Sequence, residues 1–336
     1  MSLFHPTTVT SVRPEGDGAV AVTFDAPFDW TPGQYVTLRH ASLGDQRRSY
    51  SIAARPGQPL TVGIRHIPGG AFSTLAQTFQ PGEVVDIMPP EGRFCLRDET
   101  RLLFVAAGSG ITPMVGMIAA ALDRGASVAL VYGNRTSASI MFKSDLEALK
   151  DRHLDRFQMT HILSRETQDV DVLNGRIDLE GLTASGILSD TFDGAYLCGP
   201  GEMIEAASAA LQRLGMDPDG IHSERFLTDG AKRAAPLSEP MPDGAQIEVI
   251  LDGARLGFTL SDSDASVLEA AARAGHELPW SCKGGMCCTC RCRVVEGQAE
   301  MAVNYSLEPW EIEAGFTLGC QARPTSDRLV LDFDAT

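Results

Sequence analysis

Over its first hundred residues the chain alternates short runs of β-branched and aromatic residues with breaks rich in Gly and Pro. "TVTSVRPEGDGAVAVTF" reads as two strands about a Glu-Gly-Asp-Gly turn, and "GQYVTLRH", "RSYSIA", "LTVGIRHI" and "EVVDIM" read as further strands. Many short strands at this spacing predict a small antiparallel barrel over residues 1–100. The pattern changes at Arg101. "RLLFVAAG" is a continuous apolar run of strand length, and "PMVGMIAAALDRG" has helical periodicity closed by Gly125. "SVALVYG", the helix-like "SASIMFKSDLEALKDR", "FQMTHILS", "GAYLCG" and "GEMIEAASAALQRLG" continue the alternation. Strands alternating with helices predict βαβ units and a parallel sheet over 101–228.

Residues 229–243 carry prolines and little periodicity, and are expected to be a linker. Beyond them, from 244 to 336, "QIEVILDGARLGFTL" predicts a hairpin. "DASVLEAAARAG" predicts a helix capped by Ser263 or Asp264 and stopped at Gly275. A cysteine-rich loop, "RCRVVEGQAEM" and a last strand "RLVLDFD" complete the chain.

A length of 336 residues, 43% of them hydrophobic, suits two or three domains with real cores. No apolar run approaches the length of a membrane span, and the first residues lack the charged and apolar regions of a secretory signal. The expected location is therefore the cytoplasm, where clustered cysteines serve as metal ligands or catalytic groups more often than as disulfides. A net charge of −16 excludes a phosphate-binding surface of the kind nucleic acid requires. From Asp243 onward 15 acidic side chains face 7 basic ones. The negative charge of that segment reads either as solubility or as a docking face for a basic partner.

The segment "CKGGMCCTCRC", 282–292, holds five cysteines. Cys282, Cys287 and Cys290 fit C-x4-C-x2-C, and Cys320 follows after 29 intervening residues. This is the plant-type [2Fe–2S] ligand spacing. Three thiolates from one short loop require a sharply bent backbone, which Gly284 and Gly285 permit. Zinc favours two closely spaced C-x2-C pairs, and the gap from Cys282 to Cys287 is too wide for one. Cys288 and Cys292 are left as packing residues.

With "RSYS" (48–51), "GGAFST" (69–74), "GSGITPM" (108–114), "CGP" (198–200) and this cysteine spacing, the chain resembles the ferredoxin–NADP⁺ reductase superfamily fused to a C-terminal plant-type ferredoxin domain. The resemblance spans essentially the whole chain. It implies a β + α/β + α+β architecture: an antiparallel flavin-binding β-barrel, a Rossmann-like nucleotide-binding domain and a β-grasp ferredoxin domain. FAD would contact Arg48, Ser49, Tyr50 and Ser51, with the Tyr50 ring against the isoalloxazine and the Ser51 hydroxyl near its N5 atom. Gly70, Ser73 and Thr74 would hold the pyrophosphate at a helix start, which favours FAD over FMN. The nicotinamide dinucleotide would lie on Gly108, Gly110, Thr112 and Pro113, with Cys198, Gly199 and Pro200 beside its nicotinamide.

After "VALVYG" stand Asn134 and Arg135, with no acid, and "LSRE" adds Ser164 and Arg165. Ser164 and Arg165, with Arg135 near the adenosine, are expected to take a 2′-phosphate, hence NADPH. In "SERF", Glu224 and Phe226 would border the hydride path, so Ser51, Cys198 and Glu224 are the candidate catalytic residues. The tail "CKGGMCCTCRCRVVEGQAEMAVNYSLEPWEIEAGFTLGCQARP" is similar to reductase subunits of the bacterial phenylacetyl-CoA epoxidase family. The resemblance implies hydride transfer from NADPH to FAD, single-electron transfer to the cluster, and delivery to an oxygenase component. That partner is expected to be a diiron oxygenase; reductases of Rieske-type aromatic or quaternary-amine oxygenases share the same modules and stay open as the alternative.

Overall fold

Six antiparallel strands open the chain: β1 (His5–Pro14), β2 (Ala19–Asp25), β3 (Tyr35–Arg39), β4 (Arg47–Ser51), β5 (Leu60–Arg65) and β6 (Val84–Ile87), with helix α1 (Ala71–Ala76) between the last two. Their order is β4-β3-β6-β1-β2-β5, and an Ile52–Val62 bridge joins the two edge strands. The expected barrel is therefore closed, with Val9, Val22, Phe24, Val36, Leu38, Ile52, Val62 and Ile64 in its core. The first turn closes because Gly16 and Gly18 adopt φ of 55° and 70°, values that suit glycine. The computed structural model describes residues 3–189, 191–226, 244–261 and 263–335. The expected linker, 229–243, lies outside the described residues.

The second sheet contains β7 (Arg101–Ala107), β8 (Ser127–Asn134), β9 (Phe157–Leu163), β10 (Gly194–Gly199) and β11 (Ile221–Arg225). All its pairings are parallel, in the order β11-β10-β7-β8-β9. Helices α2 (Thr112–Asp123) and α3 (Lys143–Arg152) cover one face; α4 (Leu179–Ala184) and α5 (Gly201–Arg213) cover the other. Burial on both sides explains the unbroken apolar runs in the sequence. Successive crossovers leave β7 in opposite directions, so the sheet has a switch point between β7 and β10, where such folds bind their ligands.

The helix read over 137–152 starts only at Lys143. Ser137–Ser139 form a 3-10 turn, and Phe142 takes φ of 54°. Tertiary contacts override the local periodicity. Ile140, Met141 and Phe142 are buried, and the Phe142 N–H donates to the Glu15 carboxylate at 2.7 Å. Glu15, itself buried, thereby ties the barrel to the parallel sheet, with Arg13 pairing to it at 2.7 Å. The barrel and the parallel sheet belong to one compact unit, residues 1–226.

Residues 227–336 form a second unit. It contains β12 (Gln246–Leu251), β13 (Ala254–Thr259), α6 (Val267–Arg273), β14 (Arg291–Glu296), β15 (Ala299–Met301), α7 (Pro309–Glu313), β16 (Phe316–Leu318), β17 (Ala322–Pro324) and β18 (Arg328–Asp332). The main sheet runs β13-β12-β18-β14-β16, with β12 and β18 parallel, and α6 packs into the core under it. Asp252 and Gly253, at φ of 52° and 73°, form the tight turn expected of a two-residue hairpin. The α6 cap differs from expectation. Ser266, not Ser263 or Asp264, is the N-cap residue. Asp264 is occupied elsewhere: it accepts the Ser261 N–H at 2.8 Å and pairs with Arg273 at 2.7 Å. Gly275, at φ of 82°, follows the helix as predicted. Among the described residues no helix is long and apolar enough to cross a membrane.

Replacing Glu15 by Ala leaves the buried Phe142 N–H without its acceptor. Chemical denaturation is expected to show a loss of about 2 kcal/mol in the stability of the first unit.

Candidate functional site

At the switch point the chain leaves β7 through a 3-10 turn, Gly108–Ile111, and enters α2. Gly108 has φ of 56°. Gly110 faces the end of β10 so closely that a methyl group there would overlap the Cys198 carbonyl and lie 3.0 Å from Gly199 N. A methyl on Gly199 would in turn meet Met203 Cε at 2.7 Å. These glycines let two backbones meet at the bottom of the crevice. Thr112 is differently placed from its expected role. It is buried, its hydroxyl donates to the Ser109 carbonyl at 2.9 Å, and its methyl would lie 2.6 Å from a Cβ on Gly63 of β5. Thr112 thus closes the turn and seats it on the barrel. Pro113 stands in the first helical turn, where its missing N–H costs nothing.

Cys198 and Glu224 are neighbours across β10 and β11. The Cys198 thiol is fully buried, and burial first, then the Glu224 charge, pushes its pKa up. Cys95 is raised by the same two causes. Both thiols are therefore held in the protonated form. Pro200 precedes α5 as its N-cap, and Phe226, partly buried, packs against the core that includes Phe104, Tyr196 and Cys198.

At the far end of β8 and β9 the two loops run as an extended ladder. Ser164 N–H donates to Asn134 O at 3.0 Å, and Arg165 N–H to Arg135 O at 2.8 Å. Arg135, Ser164 and Arg165, chosen from the sequence, thus stand together and exposed. The acid that the sequence reading passed over is Glu166. Its carboxylate accepts the Ser137 N–H at 2.7 Å and the Ser137 hydroxyl at 2.9 Å, and these bonds hold its pKa low. Only its position next to Arg165 in "LSRE" hinted at it.

On the barrel, strand alternation splits "RSYS". Arg48 and Tyr50 share a face, and the Tyr50 ring lies 5.6 Å from Phe72 of α1. Ser49 and Ser51 turn the other way; Ser51 is buried, and Ser49 Oγ lies 3.5 Å from Thr37 Oγ1. The neighbouring Arg47 is only 2% exposed and pairs with Asp45. At α1, Gly70 is the N-cap residue. Ser73 does not offer a free hydroxyl: it accepts from Ile67 N–H at 3.1 Å and donates to Gly70 O at 3.1 Å. What α1 does offer are the N–H groups of its first turn, which have no intrahelical acceptor, and the exposed Thr74. Arg48, Tyr50 and this helix start line one side of the barrel, which suits a flavin dinucleotide.

In the second unit the four candidate thiols form two pairs. Cys282 and Cys287 hydrogen-bond to each other, as do Cys290 and Cys320. In each pair one thiol is held low by its partner, Cys282 at about 7, while the other is raised. Among the described residues no three Cys, His, Asp or Glu side chains gather as a site for one ion. Two pairs are what a two-iron cluster requires, since each iron takes two thiolates. The loop bends as expected at Gly285, with φ of 73°, but Gly284 does not enter the left-handed region; Lys283 and Cys288 do instead, with φ of 49° and 57°. Gly284 N–H donates to Cys282 Sγ at 3.3 Å and Cys320 N–H to Cys290 Sγ at 3.4 Å. Cys292 is buried in the core and Cys288 packs against it, as expected of the surplus cysteines. Sequence reasoning missed Gln321, whose amide reaches both Lys283 O and Cys320 Sγ.

Fold and site together define a modular oxidoreductase: residues 104–209 match an oxidoreductase NAD-binding domain, and 249–325 match a 2Fe-2S iron-sulfur cluster binding domain. The chain is 42% identical to a component of the 1,2-phenylacetyl-CoA epoxidase of Escherichia coli (strain K12), covering 100% of this chain and 99% of that one. It is 33% identical to the ferredoxin reductase component of 3-ketosteroid-9-alpha-monooxygenase from Rhodococcus rhodochrous, covering 97% and 96%. It belongs to the family of reductase components of multicomponent oxygenases. Among solved structures, phthalate dioxygenase reductase has the same fold at a TM-score of 0.61 and 20% identity, covering 98% of both chains. An intact type IV self-sufficient cytochrome P450 monooxygenase matches at 0.72 and 23%, with 98% of this chain on 41% of that one.

Substituting Gly110 by Ala forces apart the two backbones that meet at the switch point. We expect a destabilisation of about 1–3 kcal/mol in thermal unfolding, together with weakened nucleotide binding in equilibrium titration.

Proposed function

We propose that this chain takes electrons from NADPH through FAD and a [2Fe–2S] cluster and passes them, in the cytoplasm, to the diiron oxygenase of a phenylacetyl-CoA epoxidase. When bound, FAD turns a two-electron hydride into single electrons, and the cluster carries them one at a time. The observation that carries this reading is that Cys282, Cys287, Cys290 and Cys320, at the plant-type ligand spacing, lie within the segment that matches a 2Fe-2S iron-sulfur cluster binding domain, with backbone N–H groups donating to the Cys282 and Cys290 sulfurs. The whole-length identity of 42% with an epoxidase component favours that oxygenase over a Rieske-type partner.

The chain's own residues divide the work. Arg48 supplies a cation and Tyr50 a ring face on the side of the barrel where α1 begins, and the free N–H groups there, with Gly70 and Thr74, would hold the pyrophosphate. Gly108, Gly110 and Gly199 admit the dinucleotide backbone. Cys198, kept protonated, and Glu224 beside it would border the nicotinamide without adding a thiolate charge to it. Arg135, Ser164 and Arg165 would hold the 2′-phosphate. In this reading the two arginines would set the preference for NADPH.

Two measurements test this. Replacing Arg165 by Ala is expected to lower the ratio of kcat/KM for NADPH over NADH by about tenfold; an unchanged ratio removes Arg165 as selector. Replacing Cys320 by Ser is expected to abolish or strongly perturb the cluster signal yet preserve NADPH-driven ferricyanide reduction, while Cys288→Ser keeps the cluster. A normal cluster in the Cys320→Ser protein overturns the ligand set. Co-purification from the host tests the partner: a diiron oxygenase supports the reading, and a Rieske oxygenase replaces it.

A further inference from the structure

We propose that the side-chain amide of Gln321 is a positioning residue for the cluster. It fastens Cys320 to the loop that carries the other three cysteines and, by donating to the Cys320 sulfur, raises the potential at which the cluster is reduced. This rests on the ligand set proposed above.

Gln321 is 8% exposed. Its Nε2 lies 3.0 Å from Lys283 O and 3.5 Å from Cys320 Sγ. A carbonyl and a ligand thiolate can only accept, so the amide nitrogen must face them, with one N–H for each. The backbone that carries this side chain is held on both sides: the Gln321 main-chain N–H donates to Leu318 O at 2.8 Å, and the Gln321 main-chain carbonyl accepts the Ala302 N–H at 3.2 Å. Across the loop, Lys283 holds φ of 49°, a conformation that a lysine seldom adopts, and presents its carbonyl to this amide. Gly285 closes over the side chain: a Cβ there would lie 3.4 Å from Gln321 Cγ and 2.9 Å from Val303 O. A residue larger than glycine would crowd Val303 and touch the glutamine.

Reduction adds one electron to the cluster and breaks no bond. The added charge is shared with the ligand sulfurs, so an N–H aimed at a sulfur stabilises the reduced form more than the oxidised form. Burial strengthens the effect, since little water competes or screens. The backbone N–H groups of Gly284 and Cys320 act on Cys282 and Cys290 in the same way, but substitution cannot remove them. The amide of Gln321 can be removed.

The test uses the full-length holoprotein and the variants Gln321→Leu and Gln321→Glu. Iron per chain is measured, and the cluster potential is read by redox titration followed by electron paramagnetic resonance. Gln321→Leu is expected to retain iron and to shift the one-electron equilibrium towards the oxidised cluster by about tenfold, ~59 mV. Gln321→Glu, with a carboxylate facing two acceptors, is expected to shift it further at neutral pH. Its potential should then climb back towards the parental value as the pH falls, because a protonated carboxyl donates again. A side chain that merely fills space would give neither the shift nor the pH dependence. If Gln321→Leu fails to hold iron, Gln321→Glu alone decides the matter. Potentials equal to the parent's in an iron-loaded variant overturn the proposal. Loss of iron from both variants would support the fastening of Cys320 and strike the effect on potential. A parent protein without a [2Fe–2S] signal would strike the ligand set itself.

Discussion

The nucleotide end of this molecule depends on one contact: the turn after β7 lies against the end of β10, with Gly110 on the carbonyl of Cys198. No side chain fits between them. Because the backbones touch there, the crevice between the two crossover directions of the sheet has a floor made of peptide groups. A dinucleotide can approach such a floor closely. The same turn is braced from the barrel side, where Thr112 abuts Gly63 and a methyl on Gly116 of α2 would lie 2.6 Å from Ala54 O. Barrel and parallel sheet therefore meet through small residues and backbone, and Glu15 adds a buried hydrogen bond to Phe142. This close fit brings the Tyr50 face of the barrel and the Cys198 end of the sheet into one compact unit.

The second unit solves a different problem. Four thiols must lie close together without four negative charges repelling one another in a half-buried loop. The fold sets them as two pairs, Cys282 with Cys287 and Cys290 with Cys320. Backbone N–H groups and the amide of Gln321 then face the sulfurs. A loop that presents donors to sulfur is suited to a group that gathers negative charge on reduction. The three left-handed residues, Lys283, Gly285 and Cys288, show how sharply the chain must bend to make it.

Much of this was legible in the sequence because it depends on near neighbours. Alternation and apolar runs located the strands of the barrel and of the parallel sheet. Cysteine spacing singled out Cys282, Cys287, Cys290 and Cys320 and set Cys288 and Cys292 aside. The two arginines and Ser164 did come together at the ends of β8 and β9. The misses share one cause. The start of α3 is decided by Glu15, more than a hundred residues earlier. The α6 cap moved because Asp264 is engaged by Arg273 and Ser261. The hydroxyls of Ser73 and Thr112 bond their own loops, which a motif does not reveal.

The order of residues was enough to determine the kind of protein: the sequence of strands and helices, apart from the ends of α3 and α6, and the stretch in which a two-iron loop can form. These follow from local sterics and from ligand spacing, both written within short stretches. Which polar groups remain available was settled only by the folded chain. Folding committed Ser137 to Glu166, kept Cys198 protonated by burying it, and set the amide of Gln321 between Lys283 and Cys320. Hydrogen bonds and burial are set by partners that only folding brings within about 3 to 4 Å of each other, and so spacing along the chain cannot specify them.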